Sequence, residues 1–376
     1  MIKIANIIED GRLAGPQIRM MSVAKMLDSD QYETTIVLPK KDNRRFKKKI
    51  INYGLRFKEQ PIHRLTKEKK HLFFFVFNFA YEIIVLRKYF KQGRFDIVHV
   101  SGGSWQWKGV IAGKLAGCKV LWHLNDTQTP SYIRYIFRFL ASRFADGFIV
   151  AGNKVEQYYL SDVNLDRKIV KEIQAPVDGS FFDPDCAENN NKLLKCKGIK
   201  VVTIANINPA KGLENFIRSA VGLNAVDTGV EFFIIGPVYK SQKTYFDQLK
   251  KLMDNKVHFL GAVNNVRGIL KEADIYVCSS VAEASPTAVW EAMAMGKPIV
   301  STNVGDVSRF VKNGVNGFIV DVNDELAMTG VVRQLVNNPI LRKKFGLKSR
   351  EVALKSLDIS RCVKLHEEVY VEILAE

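Results

Sequence analysis

Two glutamates, Glu283 and Glu291, stand eight residues apart in the part of the chain whose residue types offer the most chemistry. Between them, Ser285 is a candidate helix N-cap and Pro286 a candidate first helical residue, because both residue types are enriched at those positions. An apolar stretch that ends near Cys278 precedes them and has the composition of a strand. The spacing therefore predicts a strand, a loop that carries one carboxylate, and a helix that carries the other.

The start of that helix is a candidate anion site. The first N–H groups of a helix have no intrahelical partner and attract anions, so the amides of Thr287 and Ala288 are predicted to face a phosphate. Carboxylates accept hydrogen bonds from hydroxyl groups, and Glu283 and Glu291 flank the helix start. The arrangement suits a ligand with a phosphate in its middle and hydroxyls at both ends. The alternative is an amphipathic helix whose glutamates face water.

Both halves of the chain alternate short apolar strands with helical patterns, which predicts parallel sheets covered on both faces. The predicted strands are residues 2–8, 34–38, 96–100, 120–124 and 147–150 in the first half, and 200–207, 230–235, 257–260, 275–278, 298–301 and 317–320 in the second. A polar stretch at residues 183–191 is interpreted as the linker. Ligands of open parallel sheets bind beyond the carboxyl ends of the strands, so the two halves are predicted to face one another across a cleft.

The stretch from Glu283 to Glu291 resembles the E-x7-E motif of the retaining nucleotide-sugar glycosyltransferases of the GT-B fold, family 4 in the carbohydrate-enzyme classification. The resemblance is strongest from residue 200 to 322. It also covers Lys211-Gly212, Gly236, Asp274 and residues 296–300, 304–305 and 313–318. It implies an α/β fold of two Rossmann-like domains that face across a cleft. These are an acceptor-side domain at residues 1–178, a nucleotide-sugar domain at 179–358, and a C-terminal helix at 359–376 that returns to the first domain.

The resemblance also implies roles for particular residues. Glu283 would hold hydroxyls of the donor sugar, Glu291 the ribose hydroxyls, and Lys211 the diphosphate. In the first domain, Gly15 matches a family glycine that lies close to the donor phosphates, and His123 resembles the acceptor-side histidine, unless it is a structural residue. The implied catalytic set is His123, Lys211 and Glu283, and the implied donor-binding set is Gly15, Asn206, Lys211, Ser285, Thr287, Ala288 and Glu291.

Asn206 departs from the family pattern, because many relatives have an arginine at that position. A missing cation leaves less positive charge to stabilise the leaving diphosphate. Two alternatives follow. Either Lys211 and the helix start suffice, or a base of the first domain such as Arg12 or Arg19 reaches the same site.

The positive charge of the chain is concentrated in one segment. Lys and Arg number 56 against 39 Asp and Glu, for a net charge of +17, and residues 40–94 hold 17 of the basic residues but only four acidic ones. The same segment contains the aromatic-rich run 72–81. Basic groups around aromatic side chains suit an anionic lipid surface, so this segment is predicted to face a membrane. The alternative is a buried helix face under a solvated basic loop.

Several classes of protein lose support from what the sequence lacks. It contains no helix-turn-helix, zinc-finger or RNP-like pattern, so nucleic acid is not a predicted partner of the basic segment. It has no G-x-G-x-x-G after a strand and no Walker loop, which argues against dehydrogenases and ATPases. Five scattered cysteines without a C-x-x-C pair indicate reduced thiols in a cytoplasmic protein. No apolar run approaches the roughly 20 residues of a bilayer span.

Together these observations predict a metal-independent glycosyltransferase without a cofactor, peripheral on the inner face of the cell membrane. It would move a sugar, with retention, from a UDP- or GDP-linked donor to a hydroxyl of a lipid-linked or surface-polysaccharide glycan. One alternative is a nucleotide-sugar epimerase or hydrolase of the same fold, and an epimerase would convert its donor without an acceptor. The other is a non-catalytic, membrane-associated protein that binds sugar nucleotides, and such a protein would show no turnover.

Overall fold

The computed structural model describes residues 1–66, 69–127, 129–188, 197–224 and 229–376, without the side chains of residues 69–71 and 224. The chain divides into two compact units. The first comprises Met1–Ala175 and Ile359–Glu376, and the second comprises Pro176–Asp358. Of the stretch interpreted as the linker, residues 183–188 belong to the second unit, and residues 189–191 lie outside the described residues, as does Cys196.

The first unit contains a parallel sheet of seven strands within the described residues. The strands are β1 (Ile2–Ile7), β2 (Tyr32–Pro39), β3 (Arg56–Gln60), β4 (Ile97–Val100), β5 (Lys119–Leu124), β6 (Gly147–Val150) and β7 (Ile169–Glu172). Their order in the sheet is β3-β2-β1-β4-β5-β6-β7. The helices between them are α1 (Gly15–Met26), α2 (Arg44–Asn52), α3 (Lys69–Phe77), α4 (Phe79–Gly93), α5 (Trp107–Ala116), α6 (Ser131–Phe144) and α7 (Asn153–Leu160).

The second unit repeats this plan with six parallel strands among its described residues. They are β8 (Ile199–Ile204), β9 (Val230–Ile235), β10 (Val257–Gly261), β11 (Ile275–Cys278), β12 (Ile299–Thr302) and β13 (Gly317–Val320), in the order β10-β9-β8-β11-β12-β13. Its helices are α8 (Leu213–Asn224), α9 (Lys243–Leu252), α10 (Arg267–Glu272), α11 (Thr287–Ala294), α12 (Val307–Phe310), α13 (Glu325–Val336) and α14 (Pro339–Ser356).

The last helix, α15 (Ile359–Ala375), belongs to the first unit. Its buried residues recur every three or four positions, which is the spacing of one helix face. That face packs on the sheet, where Val369 and Ile373 join a core with Ile4, Ile97 and Leu121. Among the described residues, none of the helices combines the length and the apolar character that a membrane crossing requires.

The predicted α/β fold with parallel sheets is confirmed, and each predicted strand corresponds to an observed one. Two strands, β3 and β7, were not predicted. Both lie at an edge of the first sheet, where one side of the strand is unpaired and polar side chains are tolerated. In β3, exposed Arg56 and Lys58 alternate with partly buried Phe57 and Glu59, so this strand lacks the apolar run that marks a central parallel strand.

In both sheets the strand order reverses between the first and fourth strands of the unit, at β1/β4 and at β8/β11. At such a point, the loops that follow the two neighbouring strands lead to opposite faces of the sheet. They leave a crevice at the carboxyl ends of the strands, where ligands of these sheets bind. The candidate site residues of the second unit lie in the two segments that follow β8 and β11.

Candidate active site

The segments that follow β8 and β11 are joined by hydrogen bonds. The amide of Val281 donates to the Ala210 carbonyl at 2.9 Å, and the Ser279 hydroxyl donates to the Lys211 carbonyl at 3.0 Å. Gly212 allows this approach, because it has φ +55° and a Cβ there would lie 2.2 Å from the Ser279 carbonyl oxygen. The backbone of Lys211 is therefore held against the loop that carries the first glutamate.

Lys211 and Glu283 form an ion pair between Nζ and Oε1. The Ser280 hydroxyl donates a 2.8 Å hydrogen bond to the same carboxylate oxygen, and the Thr302 hydroxyl donates to the Ser280 carbonyl at 2.6 Å. Both members of the ion pair are mostly buried. The structure thus brings together two residues 72 positions apart and places a cation and a carboxylate side by side at the strand ends.

Ser285 is not the N-cap of α11, so that prediction is wrong. The helix begins at Thr287, and Pro286 is the N-cap residue, with φ −77° and ψ 91° outside the helical region. The Ser285 hydroxyl instead accepts a 3.0 Å hydrogen bond from the indole N–H of Trp290. A buried indole N–H requires an acceptor. Trp290 is buried by packing within the second unit, so its N–H uses the Ser285 hydroxyl.

The remaining candidates of this stretch lie on α11. The first amides to bond back to Pro286 are those of Val289 and Trp290, so the amides of Thr287 and Ala288 precede the intrahelical ladder and can bind an anion. Glu291 lies one turn further along, and burial raises the pKa of its carboxyl to about 7.

Glu283 and Glu291 both lie near Tyr276, a buried residue within β11. Burial raises the pKa of the Tyr276 hydroxyl well above its usual value, and nearby charges that include Glu291 and Glu283 raise it further. Asn206 lies in the loop after β8, where the Asn208 side chain donates a 3.1 Å hydrogen bond to its amide oxygen. It contributes no charge to the site.

In the first unit, Gly15 is the first residue of α1. A Cβ at Gly15 would meet no atom within 4 Å, so packing among the described residues does not require a glycine there. Close approach of a ligand to the backbone would require one. Arg12, which precedes this helix, forms a 2.6 Å ion pair with Asp10.

His123 lies on β5 and is completely buried. Its Nδ1 is 3.4 Å from Nε2 of His99, and its ring also packs near His366 of α15. Arg19 of α1 donates a 2.9 Å hydrogen bond to Oδ1 of Asn125, two residues after the histidine. Three buried atoms have no hydrogen-bond partner among the described residues, namely Nε2 of His123, Nη2 of Arg19 and Nδ2 of Asn125. These residues can bind an oxygen-rich ligand group.

The three histidines also form a set of potential metal ligands. One nitrogen of each lies within 4.8 Å of the others. However, burial and then the charge of Arg19 are the main factors that lower the pKa of His123 far below its usual value. The same positive charge opposes the binding of a metal cation.

Two family models match the chain. The Glycosyltransferase Family 4 model matches residues 14–180, and the Glycosyl transferases group 1 model matches residues 187–352, so that between them they cover most of the sequence. The chain belongs to glycosyltransferase family 4.

Two relatives of this family 4 glycosyltransferase match over most of their length. The UDP-Gal:alpha-D-GlcNAc-diphosphoundecaprenol alpha-1,3-galactosyltransferase of Escherichia coli is 23% identical over 309 residues, which is 78% of this chain and 79% of the relative. The N,N'-diacetylbacillosaminyl-diphospho-undecaprenol alpha-1,3-N-acetylgalactosaminyltransferase of Campylobacter jejuni is 23% identical over 371 residues, 93% and 94% of the two chains. The structure of Anabaena HepE with UDP and glucose has the same fold, with a TM-score of 0.82 at 17% identity over 98% and 99% of the chains.

Sequence reasoning about this glycosyltransferase missed the side chains that hold its candidate residues in place. Ser280 was not singled out, although its hydroxyl bonds to Glu283. Neither were His99 and His366, which flank His123. The position of Ser280 next to a strand end was a weak indication that it belongs to the site. Nothing in the sequence indicated that the two histidines lie together, because they are 267 residues apart.

The histidine cluster of the glycosyltransferase is expected to make its first unit sensitive to acid. Burial lowers the pKa of His366 from 6.5 to about 4 and lowers those of His99 and His123 as well. The three histidines are therefore protonated more readily in the unfolded chain than in the folded one. The free energy of unfolding is expected to decrease as the pH falls from about 6.5 toward 4, by up to ~1.4 kcal/mol per pH unit for each histidine. Burial raises the pKa of Glu9 to about 7, so this carboxyl adds stability as the pH falls and opposes the histidines.

The comparison that isolates the histidine contribution is therefore between the wild type and His366→Gln. The difference in melting temperature between pH 7 and pH 5 is expected to be smaller in the variant than in the wild type. Equal differences in the two proteins would contradict the expectation.

Proposed function

We propose that this glycosyltransferase transfers a sugar, with retention, from a UDP- or GDP-linked donor to a hydroxyl group of a lipid-linked or surface-polysaccharide glycan. The observation that carries the proposal is the ion pair of Lys211 and Glu283 beside the start of α11. A cation and unpaired helix amides suit a diphosphate, and carboxylates at Glu283 and Glu291 suit the hydroxyls of a sugar and a ribose.

In the proposed reaction, the bond between the anomeric carbon and the diphosphate oxygen breaks while the acceptor oxygen attacks from the same face of the sugar. The leaving diphosphate takes the proton of the attacking hydroxyl, so no protein nucleophile is needed. Lys211 releases Glu283 and binds the diphosphate. The amides of Thr287 and Ala288 also stabilise the negative charge that develops on the diphosphate. These groups act in place of a metal ion.

The acceptor side of the proposal rests on the first unit and on the relatives. The names of the Escherichia coli and Campylobacter jejuni relatives specify acceptors linked to undecaprenol through a diphosphate. In this chain, the basic segment 40–94 includes α2 and α3, although residues 67 and 68 lie outside the described residues. Exposed basic side chains on α2, namely Arg44, Arg45 and Lys48, and exposed aromatic side chains on α3 support a peripheral position on the anionic inner face of the cell membrane.

Nucleotide binding tests the donor side of the proposal. UDP, GDP, UDP-glucose and GDP-mannose are added to the protein, and at least one of them is expected to raise the melting temperature, because a ligand at 100 times its Kd adds about 2.7 kcal/mol of stability. A protein that none of the four stabilises would contradict the proposal.

Glu291→Gln is expected to weaken binding of the best sugar nucleotide about tenfold, because hydrogen bonds to a charged group contribute roughly 1.5–3 kcal/mol. Since the pKa of Glu291 is about 7, wild-type affinity is expected to fall as the pH is lowered from 8 to 6, while the affinity of the variant stays constant. Calorimetric titration at the two pH values measures both effects. Glu351→Gln, at an exposed residue paired with Lys348, is the control and should behave as the wild type.

A further inference from the structure

Two adjoining cavities lie in the first unit beside the carboxyl ends of β1 and β2. The smaller has a volume of about 230 Å³ and the larger about 380 Å³. Asp10 and Arg64 line both of them, so the two cavities share a wall. Arg12, one of the alternative bases named from the sequence, lines the larger cavity, as do Ala14 and Pro16 on either side of Gly15. The residues of the implied catalytic and donor-binding sets line neither cavity.

Two lining residues have buried atoms without a hydrogen-bond partner among the described residues, namely Nε of Arg64 and Oε2 of Glu9. The rest of each side chain is engaged. Arg64 contacts Asp10 at 3.4 Å, and the other carboxylate oxygen of Glu9 accepts the Lys108 amide at 2.8 Å. Buried polar atoms are nearly always satisfied in proteins. A ligand with an anionic oxygen for the guanidinium and a hydroxyl for the carboxylate would satisfy both.

An apolar surface leads away from the smaller cavity. Phe74 lines that cavity and stacks on the ring of His63, with centroids 5.6 Å apart. Phe73 packs edge-on against Phe74 at 5.8 Å, and Phe77 stacks on Phe73 at 5.9 Å. Phe73 and Phe77 remain 63% and 77% exposed. These three phenylalanines form an aromatic ladder from the cavity into solvent, and contiguous exposed apolar surface of this kind marks a binding site.

The ladder is anchored to the core of the first unit. His63, on which it stacks, pairs through Nδ1 with Glu82, and Glu82 in turn pairs with the fully buried Lys108 at 2.5 Å. The neighbouring Phe75 is buried with its ring 3.9 Å from Nζ of Lys108. The exposed aromatic surface is therefore held in place by side chains of the core.

We propose that the two cavities and the aromatic ladder bind one amphipathic anion, a lipid-linked sugar diphosphate, as the acceptor of the transfer reaction. The diphosphate contacts Arg64, the sugar hydroxyls contact Glu9, and the first units of the hydrocarbon chain lie along the ladder. Arginine is well suited to bind phosphate oxygens, and Lys41 offsets the charge of Asp42 in the lining of the smaller cavity.

A single occupant explains all three features. A water-soluble sugar would leave the ladder exposed, and a lipid without a polar head would leave Arg64 and Glu9 unsatisfied. The assignment rests on the proposed function, because it identifies the acceptor of that reaction, but binding can be measured without any donor.

The test measures binding of farnesyl diphosphate and of methyl diphosphate by equilibrium dialysis, below the critical micelle concentration. These probes have the same anionic group and differ in the hydrocarbon chain. The wild type is expected to bind farnesyl diphosphate at least tenfold more tightly than methyl diphosphate, because apolar area is buried on the ladder. The double variant Phe73→Ser/Phe77→Ser should bind both probes alike, at the methyl diphosphate level.

Arg64→Gln should weaken both probes at least tenfold, and Arg64→Lys, which keeps the charge, should recover part of the loss. The controls are Phe139→Ser, at a 65% exposed phenylalanine of α6, and Arg143→Gln, at an exposed arginine of the same helix. Both controls should bind the probes as the wild type does.

Three outcomes would overturn the assignment. If the wild type bound the two probes with equal affinity, there would be no hydrocarbon site. If Arg64→Gln bound the probes as the wild type does, Arg64 would not bind the diphosphate. If Phe139→Ser lost as much affinity for farnesyl diphosphate as the double variant, the lipid would be adsorbing to any apolar surface. UDP and GDP binding, measured on every variant, separates the two proposals. A wild type that binds farnesyl diphosphate but no nucleotide would contradict the donor site alone.

Discussion

Replacing Lys211 with methionine is expected to lower kcat by about 10²- to 10³-fold. That is the usual cost of removing one preorganised group that stabilises charge developing on the leaving group. The fold should persist, because Lys211 ends a short 3-10 turn whose backbone contacts to the β11 loop do not involve its side chain. The measurement is transfer of labelled sugar from the nucleotide donor into the lipid extract of a membrane fraction.

The matched control is Lys250→Met. Lys250 also pairs with a carboxylate, Asp247 at 2.9 Å, but the pair is exposed on α9 of the same unit. Its replacement should leave transfer within about twofold of the wild type, since exposed pairs contribute little. Lys211→Arg, which keeps a positive charge at the site, is expected to recover part of the rate. A Lys211→Met variant as active as the control would show that this lysine does not stabilise the leaving group.

Glu82→Gln is expected to destabilise the first unit by about 3–5 kcal/mol, because it leaves a buried charge without its partner. Glu82 and Lys108 are 1% and 0% exposed, and Nζ lies 2.5 Å from the carboxylate. Lys108→Met should have an effect of the same order. The double variant should lose less than the sum of the two single losses, because the members of a buried pair are coupled.

Hydrogen exchange of β1 and β4 amides measures these effects in the first unit, independently of the second. The control is Glu59→Gln, which removes the partly exposed partner of Lys47 at 2.7 Å and should cost at most about 1 kcal/mol. Equal losses from Glu82→Gln and Glu59→Gln would contradict the expectation.

The aromatic-rich run 72–81 illustrates how far a local pattern can be interpreted. Its composition predicted either a membrane-facing surface or a buried helix face, and the structure contains both kinds of residue. Phe73 and Phe77, four residues apart, lie on one exposed face of α3, whereas Phe75 between them is buried. Helical periodicity separates the two faces, but only the position of the helix on the core determines which face is covered.

The start of α11 shows a similar limit. The residue types predicted a helix that begins at the correct place to within one residue, because capping preferences depend on local sequence. They assigned the cap to Ser285, whose hydroxyl is instead used by Trp290. The competing hydrogen bond depends on the burial of the indole, which a short sequence pattern does not contain.

By itself, the sequence determined the parallel α/β architecture and identified Lys211 and Glu283 as candidate residues of one site, whereas their ion pair is known only from the tertiary structure. Apolar strands between helices specify parallel pairing, and the segments after β8 and β11 must share one edge of the sheet once those strands are neighbours. Only the tertiary structure decided the contacts of His123 with His366 and of Glu82 with Lys108. In each pair the two residues come from elements far apart in the sequence. A buried polar or charged group requires a partner, but its own sequence context does not determine which residue the fold places next to it.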